Sequence, residues 1–274
     1  MANNLFFHET FQPEIPYISK ILQLAIENES GDKLRISELT GIPTGDRKGK
    51  VEPHIKYARY MGLINYVCNY GVYNLSATRL GKEIWVQDKY LHESITQWLL
   101  HYCISRENVG APQWNFLVRK VNCGFNTPLS NNYINLQIQK EFNISEGDIV
   151  KNFGVAKNSY LSGCFSNLYY LNWEKELVYE EKTEQIEFCY LYAYALLDSW
   201  RDIFPEKKEL VLSEIIDDLS FGKVFGFNDE EIDSVLCTLQ DKGIISINRQ
   251  LFPITIVCTS EVSDVVEKMY SMLM

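Results

Sequence analysis

Six basic residues crowd one short stretch of an acidic chain. Arg35, Arg47, Lys48, Lys50, Lys56 and Arg59 stand against Glu38, Asp46 and Glu52 between positions 35 and 59, a local charge of +3 where the whole chain carries −10. Guanidinium and ammonium groups contact phosphate oxygens, and their binding releases the counterions that surround a polyanion. The chemistry implied is contact with double-stranded DNA through Arg47, Lys48, Lys50, His54, Lys56 and Arg59, with Asn69 close by in sequence. The same strip also suits the solvated face of a domain that docks protein, and the two readings stand side by side. A net charge of −10 confines any nucleic-acid contact to a patch.

No other grouping completes a reaction centre. A zinc-binding HExxH helix needs histidines four residues apart on one face. His92 and His101 are nine apart, which at about 100° per residue sets them on opposite sides of a helix. The run Gly45-Asp46-Arg47-Lys48-Gly49-Lys50 lacks the phosphate-loop spacing, and Val51 stands where a magnesium-binding Ser or Thr would be needed. Ser162-Gly163-Cys164 lacks the flanks of a nucleophile elbow. The seven cysteines are scattered with no CxxC pair, so reduced thiols are expected rather than a zinc site or a disulfide framework. His8-Glu9-Thr10-Phe11 pairs a base with an acid beside aromatic rings, but nothing nearby completes a site. Anchoring of the terminus therefore outweighs proton transfer for His8 and Glu9. The expectation is no enzyme activity, no cofactor and no metal.

The basic strip needs a fold to present it, and residues 34–80 read as a winged helix-turn-helix. Ile36, Leu39 and Ile42 supply a short apolar helix begun at Ser37, and Gly41 to Gly45 carry turn chemistry. A second helix spans about 51–61 and ends at Gly62, a C′ glycine. Two β-prone runs, 63–67 and 71–75, enclose Cys68-Asn69-Tyr70 as the tip of a wing. Upstream, apolar residues from Ile15 to Ile26 recur at helical spacing and form the unit's first helix.

Further along, the patterns predict helices near 76–85, 91–102, 114–121, 133–142, 146–153, 158–170 and 188–200, with a small hairpin from 177–179 and 185–188. Near the C-terminus the first unit's plan returns. Leu212-Ser213-Glu214-Ile215 parallels Ile36-Ser37-Glu38-Leu39, and Gly243-Ile244-Ile245 parallels Gly62-Leu63-Ile64. Its charge is opposite, nine acidic residues against two basic ones over 209–242, so this copy is expected to meet protein rather than phosphate. The predicted fold is mostly α with small β-hairpin wings: two winged helix-turn-helix units (1–90 and 206–274) flank a helical middle region (91–205). No basic leader precedes a long apolar run, and no run approaches the roughly 20 residues of a membrane span. The expected setting is cytoplasmic.

The order of several motifs resembles an uncharacterised prokaryotic family that opens on His-Glu-Thr-Phe. Here these are His8-Glu9-Thr10-Phe11, Gly62-Leu63-Ile64, Thr78-Arg79-Leu80-Gly81, Asp88-Lys89-Tyr90-Leu91 and Trp98-Leu99-Leu100-His101. The segment from Tyr194 to Trp200 and Gly222-Lys223-Val224-Phe225 extend the likeness over most of the chain. Members of that family are often encoded beside DNA phosphorothioation genes. The resemblance implies an accessory role near DNA modification. Joined to the basic strip and the lack of a reaction centre, the expectation is a non-enzymatic DNA-binding accessory factor of a bacterial DNA-modification or anti-phage defence system, with protein components of that system as partners. The alternatives are an adaptor that scaffolds a modification enzyme without touching DNA, or a winged-helix transcriptional regulator.

Overall fold

The computed structural model describes residues 5–45, 48–250 and 252–273; Arg47, among the expected DNA contacts, lies outside them. Helix α1 (Ile15–Ile26) starts on a proline in its first turn and buries Ile18, Ile21, Leu22 and Ala25. Strand β1 (Ser30–Gly31) leads into α2 (Lys33–Thr40), which Asp32 caps by accepting the Arg35 N–H at 2.8 Å. The helix therefore begins four residues before Ser37, whose hydroxyl instead donates to the Ile42 carbonyl. Helix α3 (Val51–Tyr60) follows, and then β2 (Ile64–Asn69) and β3 (Val72–Ala77) form an antiparallel hairpin with β1 on its far edge. The hairpin turns at Tyr70-Gly71, both with positive φ, as a two-residue turn requires. Cys68 and Asn69 thus belong to β2 rather than to the tip.

After the hairpin come α4 (Arg79–Gln87), α5 (Ser94–Ile104) and α6 (Pro112–Asn115), the last running on as a wider turn over Phe116–Lys120. Helices α7 (Asn131–Phe142) and α8 (Glu146–Leu161) pack on one another, and β4 (Leu171–Asn172) pairs with β5 (Val178–Tyr179). The helix expected at 146–153 runs on to Leu161 as α8, because Phe153, Val155 and Ala156 bury their side chains across the expected gap. The rest of the helix expected at 158–170 is a loop with one helical turn over Ser166–Leu168. The predicted strand at 185–188 is a helical turn over Ile186–Phe188, where Phe188 is drawn into the core as it enters α9 (Cys189–Ile203).

The remaining elements are β6 (Glu209–Val211), a wide turn over Glu214–Asp218, α10 (Phe221–Phe225), α11 (Asp229–Asp241), β7 (Ile245–Asn248), β8 (Thr255–Cys258) and α12 (Val262–Val266). The two terminal units close in the same way. Gly62 donates to the Arg59 carbonyl and Leu63 to that of Ala58, while Gly243 donates to Gln240 and Ile244 to Leu239. This pattern joins the orphan carbonyls of a helix end to a left-handed glycine. Thr78 then ties its N–H to Leu63 and its hydroxyl to Gly62, and Thr259 does the same to Ile244 and Gly243. Each sheet places the second hairpin strand in its centre, in the orders β1-β3-β2 and β6-β8-β7. The architecture is mostly helical with small antiparallel sheets, and one cluster of buried apolar residues runs through all three segments of the chain.

His101 joins the middle helices to the C-terminal unit. Its ring is fully buried, Nε2–H donates to the Val224 carbonyl at 2.8 Å, and Nδ1 accepts from the Tyr160 hydroxyl at 2.8 Å. The carbonyl can only accept, which assigns the tautomer. Burial pushes its pKa from 6.5 down to about 3. Burial also lowers His8 to about 4 and holds His54 below its ordinary value. In the unfolded chain these rings take up protons near 6.5, whereas the fold excludes them until far lower pH. The folded state binds fewer protons, so stability that is present above the unfolded value is lost as pH falls through that window. Calorimetric Tm is expected to drop steadily between about pH 7 and about pH 4.5. A Tm level across that range would contradict three neutral buried histidines.

Candidate nucleic-acid interface

Helix α3 carries the expected contacts, and most of its surface is already occupied. His8 and Phe11 close a turn, Phe11 N–H to the His8 carbonyl at 2.8 Å, with Glu9 and Thr10 both at positive φ. Non-glycine residues pay strain there, and the His8 ring holds the turn by accepting the Thr10 N–H at 3.0 Å. His8 Nε2–H donates to the Asn152 carbonyl at 3.2 Å, tying the turn to α8. From this anchor the segment crosses the start of α3. Tyr57 donates to the Phe11 carbonyl at 2.8 Å, and His54 Nε2 accepts the Glu14 N–H at 3.1 Å. Lys50 pairs with Glu14 at 2.7 Å, and that carboxylate raises the lysine's pKa.

The expected site residues therefore divide. His54 is fully buried with both ring nitrogens engaged, Nδ1 donating to the Lys50 carbonyl at 2.6 Å, so it holds structure and does not reach a phosphate. Lys50 is committed to Glu14. His8 is fully buried at the anchor, and Glu9 is half-buried beside it. Lys48 and Asn69 are exposed but sit on the loop before α3 and at the end of β2. Only Lys56 and Arg59 present cations from α3 itself, and the Arg59 guanidinium lies 5.5 Å from the centre of the Tyr66 ring on β2.

Lys56 and Arg59 open onto a cleft of about 760 Å³ that the sequence did not reveal. Arg79 from α4, Arg106 from the loop after α5 and Arg201 from α9 line it as well, so four elements contribute five cations. Among the described residues no Asp or Glu lines it. A low-dielectric concavity lined by one sign of charge concentrates counter-ions, here anions, against the field of a protein whose total is −10. Motif residues build this wall. Thr78 caps α4 by accepting the Gly81 N–H at 2.8 Å, and a Cβ at Gly81 would fall 2.0 Å from the Leu63 carbonyl oxygen. Asp198 accepts from Tyr102 at 2.8 Å and from Arg106 Nη1 at 3.3 Å, which aims a mostly buried arginine. Arg79 pairs with Glu267 at 2.6 Å, but both are exposed and such a pair is weak. Lys56 and Arg201 have no hydrogen-bond or ion-pair partner among the described residues.

The acidity of the C-terminal unit has a local cause. Asp229, Glu230 and Glu231 fill the first turn of α11, where the helix dipole favours negative charge, and Asn228 caps it by accepting the Glu231 N–H at 2.9 Å. Asp233 is paired with Arg249 at 2.6 Å.

No protein-family model matches the chain, and no curated protein sequence matches it. Two solved structures do match in fold. The magnesium ion-bound SspB crystal structure superposes with a TM-score of 0.78 at 16% identity, over 98% of this chain and 88% of that one. An SspB crystal structure superposes with a TM-score of 0.75 at 17% identity, over the same shares. At this identity the likeness shows a shared fold. As to the magnesium ion, no three His, Cys, Asp or Glu side chains converge here among the described residues to hold a metal, and the cleft is cationic. Among the described residues no helix is long and apolar enough to cross a membrane.

The division of residues has a measurable consequence. His54→Ala should cost roughly 2–4 kcal/mol of unfolding free energy, through a lost buried ring and an N–H of Glu14 left without its acceptor. Arg59→Ala, at an exposed position, should stay within about 0.5 kcal/mol of the parent. Urea denaturation measures both, and equal values would overturn the assignment of His54 to the core.

Proposed function

We propose that the chain is a DNA-binding accessory component of a bacterial DNA-modification system of the phosphorothioation type, and that its two terminal units are winged helix-turn-helix modules. The observation that carries this reading is the convergence of Lys56, Arg59, Arg79, Arg106 and Arg201 on one cleft, two of them paired with carboxylates that stand behind or beside its lining. Its support outside the cleft is the fold shared with SspB and the motif order that resembles a family encoded beside phosphorothioation genes. In this reading the cations neutralise backbone phosphates, Lys48 and Asn69 add outlying contacts, and the protein contributes binding rather than bond-breaking. A major-groove insertion of α3 in the usual manner is disfavoured, because the N-terminal segment covers its first turns. An adaptor role is compatible with this one. Phe252 stands almost fully exposed between β7 and β8, on the unit that lacks a basic face, where it would suit a protein partner.

Fluorescence anisotropy with labelled DNA tests the reading. Affinity should fall steeply from about 50 to about 200 mM salt. The Lys56→Glu, Arg59→Glu variant should bind at least about tenfold more weakly and show a log–log salt slope smaller by about two. Absence of binding by the parent protein at low salt would refute DNA contact by this chain.

A further inference from the structure

A cationic concavity and a projecting helix recognise different forms of nucleic acid. A duplex is read by an element that enters its groove, and the major groove accepts a helix only if that helix stands clear of its own protein. Helix α3 does not stand clear. Val51, Pro53, His54, Ile55, Tyr57 and Ala58 are all buried, and the cations it has left face into a cleft. One of the cleft's cations, Arg106, has a side chain only 17% exposed. Its Nε donates to the Cys103 carbonyl at 3.3 Å and its Nη1 to Asp198, which leaves Nη2 without a partner among the described residues. A flexible single strand reaches a recessed guanidinium more readily than a stiff double helix resting on the rim.

The walls carry the second component that an unpaired strand needs. Proteins that hold single strands combine a basic groove for the backbone with aromatic faces on which bases stack. Tyr60 and Tyr66 line the cleft between its cations, with Arg59 against the Tyr66 ring at 5.5 Å from its centre. Tyr73 meets Tyr66 edge-on at 5.6 Å between ring centres, which holds that ring in place from the neighbouring strand. The cleft's volume of about 760 Å³ lies within the range of about 300–1,000 Å³ typical of small-molecule sites, a scale suited to a nucleotide or two rather than to a duplex.

We propose that the cleft binds an unpaired nucleic-acid strand, with Arg59, Arg79, Arg106 and Arg201 on its phosphates and Tyr66 under a base. This rests on the DNA-binding reading and narrows it to a strand that is open, displaced or at an end. The Arg79–Glu267 pair lies at the cleft's edge, and an incoming phosphate takes over the arginine there. The site reads backbone and stacking, so it accepts many sequences.

Anisotropy with four probes tests the proposal on the full chain: a single-stranded oligonucleotide, its blunt duplex, the same duplex with a central unpaired bubble, and inorganic phosphate as competitor. The single strand and the bubble should bind at least about tenfold more tightly than the blunt duplex. Arg201→Glu, at an exposed position and checked by thermal melting, should weaken the single strand about tenfold or more. Tyr66→Ala should weaken it about 5- to 100-fold while Tyr66→Phe restores it, as stacking requires. Blunt duplex binding as tightly as the single strand, with Tyr66→Ala silent, would overturn the proposal and leave DNA binding standing. Displacement of the single strand by millimolar phosphate alone, with no effect of Tyr66→Ala, would reduce the cleft to a simple anion site. Failure of every DNA probe would remove both readings together.

Discussion

The N-terminal segment lies across the opening turns of α3, and the use of the basic strip depends on that contact. It is fastened at both ends. His8 bonds its own turn and the Asn152 carbonyl, and Glu14 receives Lys50 while giving its N–H to His54. Buried, hydrogen-bonded histidines are costly to leave without partners, so each of these bonds resists opening of the segment. Covering the start of α3 buries His54 and ties Lys50 to Glu14, which leaves Lys56 and Arg59, further along, as the helix's contribution to the cleft.

Those two residues gain their meaning from what faces them. The loop after α5 and the far end of α9 bring Arg106 and Arg201 to the same space, and Asp198 holds Arg106 in place from α9. Arg79 arrives because Thr78 locks the start of α4 onto the Gly62–Leu63 turn that ends α3. The cleft is therefore a product of how the N-terminal unit seats on the middle helices. The five cations gathered there focus a positive potential in the cleft, against the field of a chain whose total is −10.

Several motifs that carry the family resemblance turn out to be joints. Trp98 to His101 meets Gly222 to Phe225 through the bond from the His101 ring to the Val224 carbonyl. Asp88 accepts the N–H groups of His92 and Glu93 and turns the chain into α5. The likeness to the SspB structures, at 16% and 17% identity, is one of fold.

Local pattern by itself determined the elements whose forces are local. The apolar period from Ile15 to Ile26, the glycine ends at Gly62 and Gly243, the two terminal hairpins, and the repetition of one plan at both termini were legible, because caps, turns and periodicity act within a few residues. The small hairpin expected at 177–188 was not, since β5 pairs back to β4. So was the basic strip, as a composition. Tertiary structure alone decided which of those cations are free, since Glu14, forty residues from His54, is what buries that ring and claims Lys50. It alone assembled the cleft, because Arg59, Arg106 and Arg201 are far apart in the chain and meet only through packing. It also merged α8 where the pattern suggested a break, since burial of Phe153 and Ala156 outweighs the helix-weakening glycine between them. Long-range contact has no period to read in a sequence, and that is where this protein's candidate site lies.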